Sequence, residues 1–234
     1  MLKYKNKLFS VLGDSISTFE GCSEPQYAAF YDSYNKLLAN IYTTADTWWG
    51  IVINNLQGDL LVNNSFSGST VCWHMDYEIA SHACSDERTS ALAKASFTPD
   101  VIMVYIGTND WGRGTRIVSD KPNYHDNDPS AFADAYKTML ERLKRKYPNT
   151  EIWCLSLAVS RCSAMKSFEF PYTYGGRHIS EYCDAIKACA EEYNCRFVDL
   201  YHNAAPYDTI DGFHANADGM KTIANAVLDE LNKQ

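Results

Sequence analysis

Five residues, widely separated along the chain, carry groups suited to acyl transfer: Ser15, Gly68, Asn109, Asp211 and His214. A serine hydroxyl is a weak nucleophile until a neighbouring base removes its proton. Histidine suits that task because its ordinary pKa of about 6.5 lets it accept and return a proton near neutrality. Asp211 stands three residues before His214, close enough within one turn to orient the imidazole and stabilise its cation. The oxyanion of a tetrahedral intermediate needs hydrogen-bond donors. The backbone N–H groups of Ser15 and Gly68 and the side-chain amide of Asn109 could supply three, and glycine at position 68 lets the backbone approach closely.

These residues can act together only if the fold gathers them. Five strand-like runs, 7–12, 60–64, 101–106, 152–157 and 196–200, are nearly continuous in apolar residues. That pattern suits a parallel sheet covered on both faces. Helical patterns fall between and after them, at 46–56, 86–95, 129–147, 179–193 and 217–231. The alternation predicts a doubly wound α/β sheet with right-handed crossovers. Ser15 follows the first run, Ser65–Gly68 the second and Gly107–Asp110 the third, while Asp211–Asn216 lies in the last loop. All therefore fall on the carboxyl rim of the sheet, where open α/β folds carry their sites.

Long irregular stretches at 19–45, 111–128 and 158–177 are rich in Tyr and Phe and should gather on the same rim. Trp111, two residues past Asn109, is expected to line the pocket. Asp14 and Asp110 are expected to be structural, with Asp14 accepting local hydrogen bonds that hold the serine turn. Trp48 and Trp49 read as packing residues, as do Cys72 and Cys84. His74, His82, His125 and His178 read as surface or loop residues.

Taken in order, Gly13-Asp14-Ser15, Gly68, Gly107-Thr108-Asn109-Asp110 and Asp211-x-x-His214 resemble the four sequence blocks of the SGNH (GDSL-type) hydrolases. The blocks span residues 13 to 214. The first reads GDSIS rather than GDSL, and isoleucine for leucine keeps the bulk. The resemblance implies a flavodoxin-like three-layer α/β/α fold whose five-stranded parallel sheet has the order 2-1-3-4-5. It implies a Ser15–His214–Asp211 triad, an oxyanion hole of Ser15, Gly68 and Asn109, and ester hydrolysis with no metal or other cofactor. A second Asp-x-x-His, Asp199 to His202, competes for the base. His214 directly precedes the last helical stretch, as in the family, and is the expected base.

Bulk properties narrow the rest. A chain of 234 residues, 46% hydrophobic and 21% charged, with no repeat or linker, reads as a single domain over 1–234. A net charge of −8 argues against a nucleic-acid partner, which needs clustered Lys and Arg. No apolar run approaches the roughly 20 residues that span a bilayer. The early apolar stretch Leu8–Leu12 is too short for an export signal, which points to the cytoplasm. Eight cysteines form no CxxC pair, so neither a zinc nor a redox motif is expected. The resulting expectation is a serine esterase for short-chain, acetyl-type esters on a carbohydrate. A lipase or thioesterase for longer acyl chains and an acyltransferase are the alternatives on the same scaffold.

Overall fold

Residues 2–23, 26–74, 82–119, 124–125 and 127–233 are described by a computed structural model of the chain. Five strands form its central sheet: β1 (Leu8–Gly13), β2 (Asp59–Ser65), β3 (Val101–Tyr105), β4 (Glu151–Leu155) and β5 (Arg196–Val198). All pairings are parallel and the order is β2-β1-β3-β4-β5, the order the resemblance implies. Eight helices accompany them: α1 (Ser33–Ala39), α2 (Trp48–Asn55), α3 (Asp86–Ser90), α4 (Thr108–Gly112), α5 (Phe132–Lys146), α6 (Ile179–Glu192), α7 (Leu200–Asn203) and α8 (Ala217–Asn232).

Alternation along each strand sends side chains to opposite faces. Phe9, Val11, Val101, Met103 and Tyr105 pack with Trp48, Trp49 and Ile223 from α2 and α8. Leu12, Ile102, Val104 and Ile152 pack with Phe132, Tyr136 and Ile186 from α5 and α6. Two apolar layers thus clamp the sheet, which is why its strands read as unbroken hydrophobic runs. In register, Gly13 lies opposite Ser65 on one side and Tyr105 on the other. The segments that follow these three strands, which carry Ser15, Gly68 and Asn109, therefore leave the sheet on one rim.

Several boundaries differ from the expectation, each for a local reason. The helix expected over 86–95 stops at Ser90, because the Leu92 N–H turns to the Tyr147 hydroxyl (3.2 Å) and Ala95 is left-handed (φ 46°). The fifth strand ends at Val198, because Asp199 caps α7 and takes Leu200 into it. The helix expected from 46 starts at Trp48, because Thr47 caps it, accepting from the Gly50 N–H at 3.1 Å. Pro129 pairs with Tyr124 in a two-residue antiparallel contact, which delays α5 to Phe132. Parts of the long stretches, 24–25, 120–123 and 126, lie outside the described residues, as do the side chains of Tyr124 and His125. Among the described residues no helix is long and apolar enough to cross a membrane.

Candidate active site

The serine turn is fixed from below. A Cβ on Gly13 would stand 2.7 Å from Ser17 Oγ and 2.9 Å from Ser65 Oγ, so only glycine fits the end of β1. The chain then makes one 3-10 turn, Ser15–Ser17, whose cap is Asp14: its Oδ1 accepts from the Ile16 N–H at 3.0 Å. The Ser17 carbonyl accepts from Trp49 Nε1 and Asn63 Nδ2, both at 2.9 Å, and its hydroxyl accepts from Trp48 Nε1 at 3.1 Å. The tryptophan pair at the start of α2 is therefore core packing that also pins the turn. Burial pushes the Asp14 carboxyl up to about 7, against the opposing Ile16 hydrogen bond.

The Asp–His pair is built by one loop. Asp211 Oδ1 accepts the backbone N–H groups of His214 (2.8 Å) and Phe213 (3.0 Å), while Oδ2 meets His214 Nδ1 at 2.6 Å. His214 Nε2 lies 2.9 Å from Ser15 Oγ. Burial works to raise the Asp211 carboxyl, but the hydrogen bonds and charge of His214 outweigh it and hold the group down to about 2. Asp199 and His202 repeat the same local pattern, with Nδ1 to Oδ2 at 2.8 Å and the His202 N–H to Oδ1 at 3.1 Å. That second pair lies on α7 with an exposed imidazole, and no hydroxyl among the described residues meets it.

The oxyanion candidates come from two loops. Gly68 has φ +82° and nothing within 4 Å of where a Cβ would be. Gly107, at φ +131°, starts α4 and places Asn109 in its first turn. Asn109 Nδ2 donates to the Ser69 carbonyl at 2.9 Å, so one amide hydrogen ties the two loops and the second is left for a ligand. Among the described residues the backbone N–H groups of Ser15 and Gly68 have no acceptor. Ser15, Asn109 and His214 line one cavity of about 290 Å³, together with Ile16, Thr108, Gly112, Arg113, Tyr174 and Phe213. Gly68 does not line it but adjoins Ser69, which holds Asn109.

Trp111 corrects the expectation. It is 1% exposed, stacks on Phe170 (5.5 Å), and donates from Nε1 to the Arg177 carbonyl at 3.0 Å. Two residues along a helix turn a side chain by about 200°, so with Asn109 facing the cavity Trp111 must face the interior. The aromatic wall is instead Tyr174 and Phe213, 5.9 Å apart, with Trp111 behind them. Tyr174 is carried by a small hairpin, Thr173–Tyr174 against Arg177–His178. Its tip touches the turn after α4 backbone to backbone: a Cβ on Gly114 would fall 1.8 Å from the Gly175 carbonyl oxygen.

Arg88 gave no functional signal in the sequence, where it reads as one charge on a short helix. It is 1% exposed and donates to the Gly13 carbonyl (3.1 Å), the Asn64 carbonyl (2.8 Å), Ser69 Oγ (2.8 Å) and Asn64 Oδ1. One guanidinium thereby ties the ends of β1 and β2 to the loop of Gly68. His82 is also corrected: it is buried and bonded to Asp128 at 2.6 Å, not on the surface.

Two clusters have metal-ligating residue types, Cys72–His74–Asp110 and His82–Cys84–Asp128. Both oxygens of Asp110 are occupied, accepting the N–H groups of Val71 (2.8 Å) and Cys72 (3.3 Å) and the Cys72 thiol (2.7 Å). Burial holds the Asp110 carboxyl up at about 6. In the second cluster Asp128 is taken by His82 and the Arg142 guanidinium, and a fixed cation there opposes another. Both clusters read as hydrogen-bonded supports, and Asp110 holds the 71–72 backbone beside the oxyanion loop.

A family profile, GDSL-like Lipase/Acylhydrolase, matches residues 7–168, a segment that carries Ser15, Gly68 and Asn109 but ends before Asp211 and His214. No curated protein is a significant match to the chain. Among solved structures, a Bacteroides ovatus protein assigned as a GDSL-like lipase is 26% identical, with a TM-score of 0.72 over 98% of this chain and 100% of its own. A Bacteroides uniformis protein of the same assignment is 26% identical, with a TM-score of 0.72 over 98% and 97%. A carbohydrate acetylesterase from Sinorhizobium meliloti shares the fold at 16% identity, with a TM-score of 0.64 over 97% and 99%. With more than half its length matched by that profile, the chain belongs to the GDSL-like lipase/acylhydrolase family of ester hydrolases.

Proposed function

We propose that this ester hydrolase works through an acyl-enzyme on Ser15, with His214 as general base and Asp211 as its orienting partner. The observation that carries the reading is the unbroken relay from Asp211 Oδ2 to His214 Nδ1 (2.6 Å) and from His214 Nε2 to Ser15 Oγ (2.9 Å). Ser15 Oγ attacks the ester carbon as its proton passes to Nε2. The oxyanion accepts from the Ser15 and Gly68 N–H groups and the free amide hydrogen of Asn109. Collapse of the intermediate expels the alcohol, which takes the proton from Nε2. Water then repeats the sequence, with the same histidine as base, and releases the acid.

The substrate we propose is a short acyl ester, acetyl above all, on a carbohydrate. A cavity of about 290 Å³ is small for a ligand site and suits a short acyl group. Its wall of Tyr174 and Phe213 offers flat aromatic rings, one of them with a hydroxyl, rather than the aliphatic slot a long acyl chain needs. The Sinorhizobium meliloti acetylesterase shows that this fold serves such a reaction elsewhere. The test is a panel of acetylated sugars and of aryl esters from acetate to decanoate, run beside Ser15→Ala. Acetate esters should be cleaved fastest and the variant should be inactive. Preference for decanoate would remove the substrate reading, and an active Ser15→Ala the mechanism.

A further inference from the structure

The ring of Phe30 lies flat on the His214 imidazole, with centroids 3.4 Å apart and planes within 7°. The backbone around that ring is tied to both halves of the site. The Phe30 N–H donates to Thr18 Oγ1 at 2.9 Å, and Thr18 Oγ1 donates to the Ser15 carbonyl at 2.8 Å. The Phe30 carbonyl accepts from Asn35 Nδ2 and from the Asp32 N–H, both at 2.9 Å. Tyr31, fully buried and edge-on to Phe30 at 5.2 Å, donates its hydroxyl to the Ala215 carbonyl at 2.8 Å. One short segment is thus linked through Thr18 Oγ1 to the residue of the nucleophile and bonds directly to the residue after the base, with the Phe30 ring on the imidazole.

We propose that Phe30 is a positioning residue of the hydrolytic site: its ring fixes the plane of the His214 imidazole, and its π face stabilises the imidazolium formed when Ser15 gives up its proton. The inference rests on the Ser15–His214 mechanism above. The two bonds at Nδ1 and Nε2 hold opposite edges of the imidazole and leave it free to tilt about the line joining them. A parallel ring in contact removes that tilt. The face of an aromatic ring carries negative quadrupole density and attracts a cation lying over it. The ring therefore stabilises the cation that forms on the base as Ser15 gives up its proton. A leucine would fill much the same space without supplying a flat face or a quadrupole.

That difference defines the experiment. Phe30→Leu and Phe30→Tyr are compared with wild type, Ser15→Ala and His214→Ala on p-nitrophenyl acetate, with kcat and KM determined separately and thermal unfolding recorded for each. Phe30→Leu should lose about tenfold in kcat with KM within about twofold of wild type, the scale of one ring–cation contact. Phe30→Tyr should return to within about twofold of wild type, and both variants should unfold near the wild-type temperature. Fluorophosphonate labelling of Ser15, which needs the same base, should slow in parallel in the leucine variant. Equal kcat in the two Phe30 variants, whether high or low, overturns the proposal while leaving the mechanism intact, provided Ser15→Ala is inactive. Activity surviving in Ser15→Ala overturns both.

Discussion

Replacing Asp211 separates the stability of the site from its chemistry. Asp211 Oδ1 is held by two backbone N–H groups, at 2.8 and 3.0 Å, and Oδ2 faces His214 Nδ1 at 2.6 Å. In Asp211→Asn the amide oxygen must stay where the two N–H groups are, because the NH2 cannot accept them. The NH2 then points at Nδ1 and donates to it. His214 is forced into the tautomer with its proton on Nε2, where it cannot accept one from Ser15. The corresponding change in a buried Ser-His-Asp triad costs about 10⁴ in kcat. The Asp211 side chain is 42% exposed, so water competes for Nδ1 and softens the loss. We expect about 10²- to 10³-fold in kcat/KM on p-nitrophenyl acetate, or about 3–4 kcal/mol of transition-state stabilisation. Asp211→Ala loses the orienting group but imposes no wrong tautomer, so it should be no less active than the isosteric Asn variant. In stability the order reverses. Asn keeps both backbone bonds, whereas Ala loses them at about 1 kcal/mol each, readable by urea unfolding. An Asn variant clearly more active than the Ala variant, or within threefold of wild type, would refute the tautomer argument.

Three further outcomes follow from the same geometry. Gly68→Ala should cost about 1–2 kcal/mol of stability, because its φ of +82° is left-handed; if the Gly68 N–H serves the oxyanion, kcat/KM should also fall at least tenfold, and unchanged activity would remove that donor from the scheme. Arg88→Met should destabilise by about 3 kcal/mol or more in chemical denaturation, at about 1–3 kcal/mol for each buried acceptor it strands: the Gly13 and Asn64 carbonyls and the Asn64 side-chain oxygen. Stability should also depend on pH in a specific sense. Asp14, held up at about 7, and Asp110, at about 6, keep protons in the folded state that an unfolded aspartate near 3.9 has lost. Their contribution is therefore full below about pH 4 and is lost as pH rises toward 6 and 7, whereas that of Asp211, at about 2, is present above about pH 4 and lost below it. Urea unfolding at pH 4.5 and 7 should show a smaller difference for Asp14→Asn than for wild type, and an equal difference would contradict the burial argument.

The strand order and the rim that carries the five residues were legible because they rest on strong signals. Unbroken apolar runs such as VIMVYI mark strands covered on both faces, and turn glycines mark where they end. What failed was whatever depends on the direction of one side chain or on a partner far away in sequence. Trp111 was expected on the pocket surface, but a helix starting at Thr108 turns it inward. Arg88 and His82 were invisible as buried groups because their acceptors, Gly13, Asn64 and Ser69 for one and Asp128 for the other, lie 19 to 75 residues away. Phe30 was visible only as one of many loop aromatics, since nothing local predicts a stack on residue 214.

The two Asp-x-x-His pairs show where local encoding stops. At 199–202 and at 211–214 the aspartate accepts the histidine backbone N–H with one oxygen and meets Nδ1 with the other. Four consecutive residues are enough to make that pair, and the chain makes it twice. What distinguishes His214 is everything around it: a serine presented at 2.9 Å, a phenylalanine across its face, and a loop tied by Tyr31 and Tyr207 to the Ala215 and Phe213 carbonyls. Beneath this arrangement lie Asp14 Oδ2, Asn63 Oδ1, Asn64 Nδ2 and Ser65 Oγ, buried polar atoms with no partner among the described residues. Four more such atoms, on Ser23, His82, Tyr136 and Arg196, lie elsewhere, but these four lie at the ends of β1 and β2. A sheet optimised only for stability would place apolar or fully bonded groups there. Polar atoms without partners among the described residues instead accompany the rim on which Ser15, Asn109 and His214 line one cavity.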